Sequence, residues 1–259
     1  MPIRVEKPVP HVAVLVLDEP KVRNALTAET RVELRDTLET LAVDPAVHAL
    51  VVTGAGGNFC AGGDVRTMGE TDIAKIDARM NDVATTAMAV ASFPKPIIAA
   101  VAGHAAGAGI SLACLADIVV AESSATFTFS FLKIALGPDW GLSCTLARRV
   151  GAAGAKRLIV SRAAIDGDEA HRLGLADIVV GKGEAESRAI EEGMALAHGP
   201  HDAVAAVKKM LSGLDELREA LAAEAAQQRA RFPHDEHQEG AAAFREKRSP
   251  DFSRGSNRD

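Results

Sequence analysis

Asn58-Phe59-Cys60-Ala61-Gly62-Gly63-Asp64-Val65 is the stretch whose reading decides the fold. It follows His48-Ala49-Leu50-Val51-Val52-Thr53-Gly54, an apolar run whose β-branched residues predict a buried strand. Glycines at 54, 56, 57, 62 and 63 then let the backbone turn tightly and approach a ligand with no Cβ in the way. A polar loop at the end of a buried strand is where α/β proteins present ligand sites. Such a loop offers backbone N–H groups, which stabilise a carbonyl oxygen as it becomes negative. The competing reading is a glycine-rich turn without chemistry.

A second stretch repeats the order. Ile97-Ile98-Ala99-Ala100-Val101 predicts another short buried strand, and Ala102-Gly103-His104-Ala105-Ala106-Gly107-Ala108-Gly109 a glycine turn. Ile110 to Ala116 reads as the helix that follows, with Asp117 after it. The first N–H groups of a helix have no partner within it, and its dipole favours negative charge there. Two loops that each aim one donor at one oxygen form an oxyanion hole.

Together the two stretches resemble the crotonase (enoyl-CoA hydratase/isomerase) superfamily. The likeness also takes in Pro20-Lys21-Val22-Arg23-Asn24-Ala25-Leu26, Pro94-Lys95-Pro96, and Leu136-Gly137-Pro138-Asp139 to Gly151, in family order, and runs from about Val12 to Phe252. It implies an α/β fold, a spiral of ββα units over residues 1–198, with a C-terminal helical region, 199–259, that forms trimers or stacked hexamers. It implies oxyanion donors at Gly63 and Ala108. Arg23, Ala25, Ala61, Gly62, Asp64 and Val65 are then the contacts to coenzyme A, which is part of the substrate rather than a bound cofactor. Phe244 and Lys247 of a neighbouring subunit would also reach the CoA. Gly107, Ser111, Phe131, Leu136, Pro138 and Trp140 would border the acyl group.

The departures narrow the chemistry. In hydratases of the superfamily two glutamates hold the water that adds to the double bond; here their positions carry Ser111 and Phe131. A serine without a partner is a poor base, and Phe has no proton to exchange. Asp139 remains. In isomerases of the superfamily, the ring-epoxide phenylacetyl-CoA type among them, an aspartate in this motif is the acid/base. The 4-chlorobenzoyl-CoA dehalogenase branch uses it as a nucleophile, but with a tryptophan where this chain has Phe131. The resemblance therefore favours an enoyl-CoA isomerase with Asp139 as acid/base. Asp139 should then sit in an apolar pocket walled by Trp140 and Phe131, which would raise its pKa. Alternatives are a hydratase or thioester hydrolase with other water-positioning groups, and a non-catalytic acyl-CoA-binding scaffold. Asp139 could instead cap a helix from Trp140.

Composition sets the outer bounds. A net charge of −6 in 259 residues argues against a nucleic-acid or anionic-membrane surface. Aromatic residues make up only 3% and Tyr is absent, so Ala, Val, Leu and Ile must build the core. Cys60, Cys114 and Cys144 lack zinc spacing and suit a reducing compartment; no metal site is expected. Cys60 reads as a small buried residue rather than a nucleophile. Residues 1–10 lack an apolar signal core, so a cytoplasmic protein is expected. Further strands are read at 11–17, 117–121, 126–129 and 176–180. Helices are read from Thr27, over 68–92, 141–150 and 155–161, after Asp166, and through most of the chain from 184, with breaks at Gly199-Pro200, Gly213 and Pro233. His234 and His237 are read as part of a solvated helix face.

Overall fold

The computed structural model describes residues 1–64 and 67–255. The chain opens with an antiparallel pair, β1 (Ile3–Val9) and β2 (His11–Leu17). Residues 12–17 are buried on both faces, as their unbroken apolar run dictates. β1 was not legible: it is an edge strand whose Arg4, Glu6 and Lys7 point to solvent, so no apolar pattern marks it.

α1 (Ala28–Val43) starts at Thr27, whose hydroxyl accepts the Thr30 N–H at 3.1 Å. Thr30, Leu34, Leu38 and Leu41 face inward as their spacing predicts. Next come β3 (Val47–Gly54), α2 (Ile73–Ala91), β4 (Ile97–Val101), β5 (His104–Ala106), α3 (Ala108–Cys114), β6 (Ile118–Glu122) and β7 (Thr126–Thr128). α2 begins at Ile73 rather than Met68, because the Asp72 carboxylate caps it by accepting the Ala74 N–H. α4 (Leu142–Val160) is broken at Gly151, whose φ of 73° and ψ of 155° lie outside the helix. Then follow β8 (Ala164–Asp166), α5 (Gly167–Arg172), β9 (Ile178–Val180), α6 (Ala185–Ala197), α7 (His201–Leu211), α8 (Leu214–Arg231) and α9 (Asp235–Arg245).

The large sheet has the order β1-β2-β3-β4-β6-β9 and is parallel from β2 onward. The small sheet is β5-β7-β8. β4 enters the large sheet, β5 the small one, and α3 follows; β6 and β7 repeat the step. This is the expected ββα spiral, an α/β fold. β5 and β8 span three residues each, too few for a periodicity to reveal.

Period-two alternation splits the apolar residues of β2 between two cores. Ala13, Leu15 and Leu17 join the main core with α1 to α4, and Val12, Val14 and Val16 face α6. The C-terminal helices do not stand apart from the spiral. Leu217, Leu221 and Phe232 of the α8 region enter the main core, and α9 packs on the turn at 131–134. Among the described residues, no helix is long and apolar enough to cross a membrane.

Candidate active site

Three loops are stitched together where β3 and β4 end. Phe59 N–H donates to Ala102 O at 2.8 Å, Cys60 N–H to His104 O at 3.0 Å, and Ala106 N–H to Cys60 O at 2.9 Å. On the other side Ala61 N–H donates to Arg23 O at 2.9 Å and Leu26 N–H to Gly62 O at 2.8 Å. Asn24 anchors the third loop: its buried amide donates to Ala55 O at 2.9 Å and Asn58 O at 2.8 Å. Asn24 lies within the recognised motif, but its structural role was not anticipated.

The close approach explains the glycines. A Cβ on Gly62, whose φ is 95°, would lie 2.5 Å from Ala106 O and 3.3 Å from the Ala108 nitrogen. A Cβ on Gly109 would lie 2.3 Å from Cys60 O. The first glycine loop therefore lies against the start of α3. Gly107, at φ 50°, precedes that helix and offers no side-chain cap. Among the described residues, neither the Gly63 N–H nor the Ala108 N–H has a hydrogen-bond acceptor. Ala25 and Gly62 are buried, Ala61, Gly63 and Asp64 half-buried, and Arg23 exposed; Val65 lies outside the described residues.

Asp139 sits in the loop before α4, with Oδ1 buried and without a hydrogen-bond partner among the described residues. Burial, reinforced by the nearby Glu224 carboxylate and opposed by Arg79 and Arg31, pushes its pKa up from 3.8 to about 7. It does not cap the helix. Gly141 is the N-cap residue of α4, and Glu224 of α8 accepts the Gly141 N–H at 2.7 Å and the Ser143 N–H at 2.8 Å. Phe131 borders the second glycine loop, its Cε1 3.8 Å from where a Gly107 Cβ would lie. Ser111 is fully buried, its hydroxyl unpartnered among the described residues. Leu136 and Trp140 are buried in the main core, and Pro138 is half-buried. Burial pushes the Cys60 thiol up to about 12, which suits a packing residue and not a nucleophile.

The enoyl-CoA hydratase/isomerase family profile matches residues 9–255. The chain belongs to this family. A Bacillus subtilis relative named putative enoyl-CoA hydratase/isomerase is 38% identical, over 93% of this chain and 95% of its own. An Escherichia coli relative named 2,3-dehydroadipyl-CoA hydratase is 35% identical over 93% of this chain and 94% of its own. A crystal structure titled enoyl-CoA hydratase, from Mycobacterium avium subsp. paratuberculosis, superposes with a TM-score of 0.87 at 30% identity. That match covers 97% of this chain and 98% of the other. The chain is thus a member of an acyl-CoA-processing enzyme family with the crotonase fold.

Several charged groups of this family member escaped the sequence reading. Arg79 of α2 lies beside the first glycine loop, its Nη2 3.7 Å from where a Gly63 Cβ would be. Arg31 of α1 is buried and ion-paired to Asp82 at 2.5 Å. His237 is not on a solvated face. It is fully buried, with Nδ1 2.7 Å from Ile134 O and its ring centroid 4.8 Å from that of Phe232. The reason is that α9 lays its small residues on the 131–134 turn, where a Cβ on Gly240 would meet Ile134 Cα at 2.7 Å. Gly240 and Ala241, a helical turn on from His237, were the available signal. Phe244 and Lys247 are exposed, and Arg245 between them donates to Met68 O at 3.1 Å, just beyond the first glycine loop.

Proposed function

We propose that the chain is an enoyl-CoA isomerase in which Asp139 shuttles the proton. The observation that carries this reading is the half-buried Asp139, whose Oδ1 is buried and unpartnered among the described residues and whose pKa is pushed up to about 7. Ser111 and Phe131 stand where the resemblance expects the water-holding glutamates of a hydratase. The thioester oxygen would accept from the Gly63 and Ala108 N–H groups, both free of internal acceptors among the described residues. Ionised Asp139 takes a proton from the α or γ carbon, and the C–H electrons pass into the carbonyl as an enolate. Each oxyanion donor lowers that barrier by about 3–4 kcal/mol. Asp139 then returns the proton to the other carbon, so the double bond moves and no water is consumed. A pKa near the working pH lets one group both accept and donate.

In the same reading the adenosine and pantetheine of CoA run along Arg23, Ala25, Ala61, Gly62 and Asp64, which the ladder of three loops holds in one surface. We also infer a trimer or hexamer in which exposed Phe244 and Lys247 of a neighbour reach the CoA.

Hydration is the second reading, favoured by the relatives' names and by a second unpartnered buried oxygen, Ser111 Oγ. A bound water needs polar partners of this kind. Incubating the protein with 3-enoyl-CoA and 2-enoyl-CoA esters, with products separated by chromatography, distinguishes the two. An isomerase interconverts them without 3-hydroxyacyl-CoA. Asp139→Asn should reduce turnover by about 10²–10⁴ with CoA-ester binding retained. Undiminished turnover removes Asp139 from the mechanism.

A further inference from the structure

The inward stripe of α2 is Ile76, Met80, Val83, Thr86, Ala87 and Val90, apolar except for Thr86. Arg79 falls three residues after Ile76 and four before Val83, so helical spacing puts a guanidinium where an apolar side chain is expected. An arginine in such a place is ordinarily paired. The neighbouring arginines of α1 are: Arg31 and Arg35 reach the two oxygens of Asp82, at 2.5 and 2.6 Å. Arg79 is different. It donates to Thr67 Oγ1 at 2.8 Å, more weakly to Thr67 O at 3.5 Å and to Met68 Sδ at 3.7 Å. The Phe232 ring lies 5.4 Å from its central carbon. Among the described residues it forms no ion pair. The charged groups that act on it are Asp139 and Asp64, both attractive, and Arg31, repulsive.

Its position relative to the loops gives this a use. Nη2 lies against Gly63, and the Asp139 carboxylate is close enough to attract the guanidinium. A guanidinium has five donors in a planar fork that matches a carboxylate. We propose that Arg79 binds a carboxylate carried by the acyl chain, so that the substrates are short acyl-CoA thioesters with an anionic far end. The inference rests on the thioester lying at Gly63 and Ala108. The closeness of Arg79 to Gly63 limits the chain between the two carbonyl carbons to a few atoms.

Equilibrium titration of the full-length protein with two saturated thioesters tests this without turnover. Glutaryl-CoA ends in a carboxylate and pentanoyl-CoA in a methyl group; free CoA is the reference. The wild type should bind glutaryl-CoA at least about tenfold more tightly than pentanoyl-CoA, the range of a charged hydrogen-bonded pair. Arg79→Met should erase or invert that preference, and Arg79→Lys should keep part of it. A wild type that binds the two esters equally, or prefers pentanoyl-CoA, overturns the proposal while leaving the thioester reading intact. So does a preference that survives in a folded Arg79→Met protein, since Arg79 would then act only on Asp139. If neither ester binds more tightly than free CoA, the thioester reading fails and this proposal with it. Should Arg79→Met not fold, the wild-type preference and Arg79→Lys decide.

Discussion

The starts of α3 and α4 make an instructive pair. Both helices begin after a glycine with positive φ, Gly107 at 50° and Gly141 at 78°, and neither has a side-chain cap from its own N-cap residue. At α4 the Glu224 carboxylate, 83 residues along the chain from Gly141, fills the vacancy by accepting two backbone N–H groups. At α3 no internal acceptor serves Ala108 among the described residues. A buried helix end needs its donors satisfied. The end closed from within is structural, and the end left open is the one a ligand oxygen can complete. The closing carboxylate has a second effect, because its field helps hold the proton on Asp139.

The largest expected effect comes from spoiling the open end. Gly109→Ala puts a Cβ 2.3 Å from Cys60 O and must push α3 off the first loop. We expect kcat to fall about 10²–10³-fold, the cost of one oxyanion donor. Stability should fall by a few kcal/mol, as for other overpacked sites, read by denaturant unfolding. Wild-type kcat in a folded variant would break the contrast between the two helix ends.

Asp139→Asn sharpens it through stability. The native carboxyl keeps its proton up to about 7, whereas an unfolded one loses it near 3.8. Within that window the native state binds more protons, so wild-type stability falls as pH rises, and above the window the loss is complete. The asparagine variant carries no such loss. It should exceed the wild type by up to about 4 kcal/mol at pH 8, and the gain should shrink towards zero near pH 4. Thermal unfolding across that range checks the slope.

Glu224→Gln acts on the closed end. Removing the negative charge should move the acidic limb of the kcat profile below 7, because Glu224 raises the Asp139 pKa. It should also cost about 1 kcal/mol by weakening the charge at the start of α4. An unmoved limb would deny Glu224 any role beyond capping. The smallest effect is a control at an ordinary cap. Asp166 accepts the Glu169 N–H at 2.8 Å at the start of α5. Asp166→Ala should lose about 1 kcal/mol and leave kcat and KM unchanged.

What the chain reveals in one dimension follows from this contrast. The strand-then-glycine order at 48–63 and 97–109 located both loops, because period-two burial and the need for a missing Cβ are properties of neighbours in sequence. The same locality made the helix starts at Thr27 and Asp166 legible. Asp139 was legible as a residue. Its charged surroundings were not: beyond burial, Glu224 raises its pKa and Arg79 and Arg31 lower it.

The sequence by itself determined the two buried strands and the glycine loops that follow them, since strand burial and glycine geometry act over a few residues, and its family motifs carried the ββα spiral. Tertiary structure alone decided which charges face those amides. Glu224 and His237 sit on α8 and α9 and are buried where these helices meet the loops at 131–141, whereas Arg79 of α2 lies between Phe232 and the Gly63 loop. An electrostatic environment is a sum over everything within several ångströms, and most of that neighbourhood is far away along the chain.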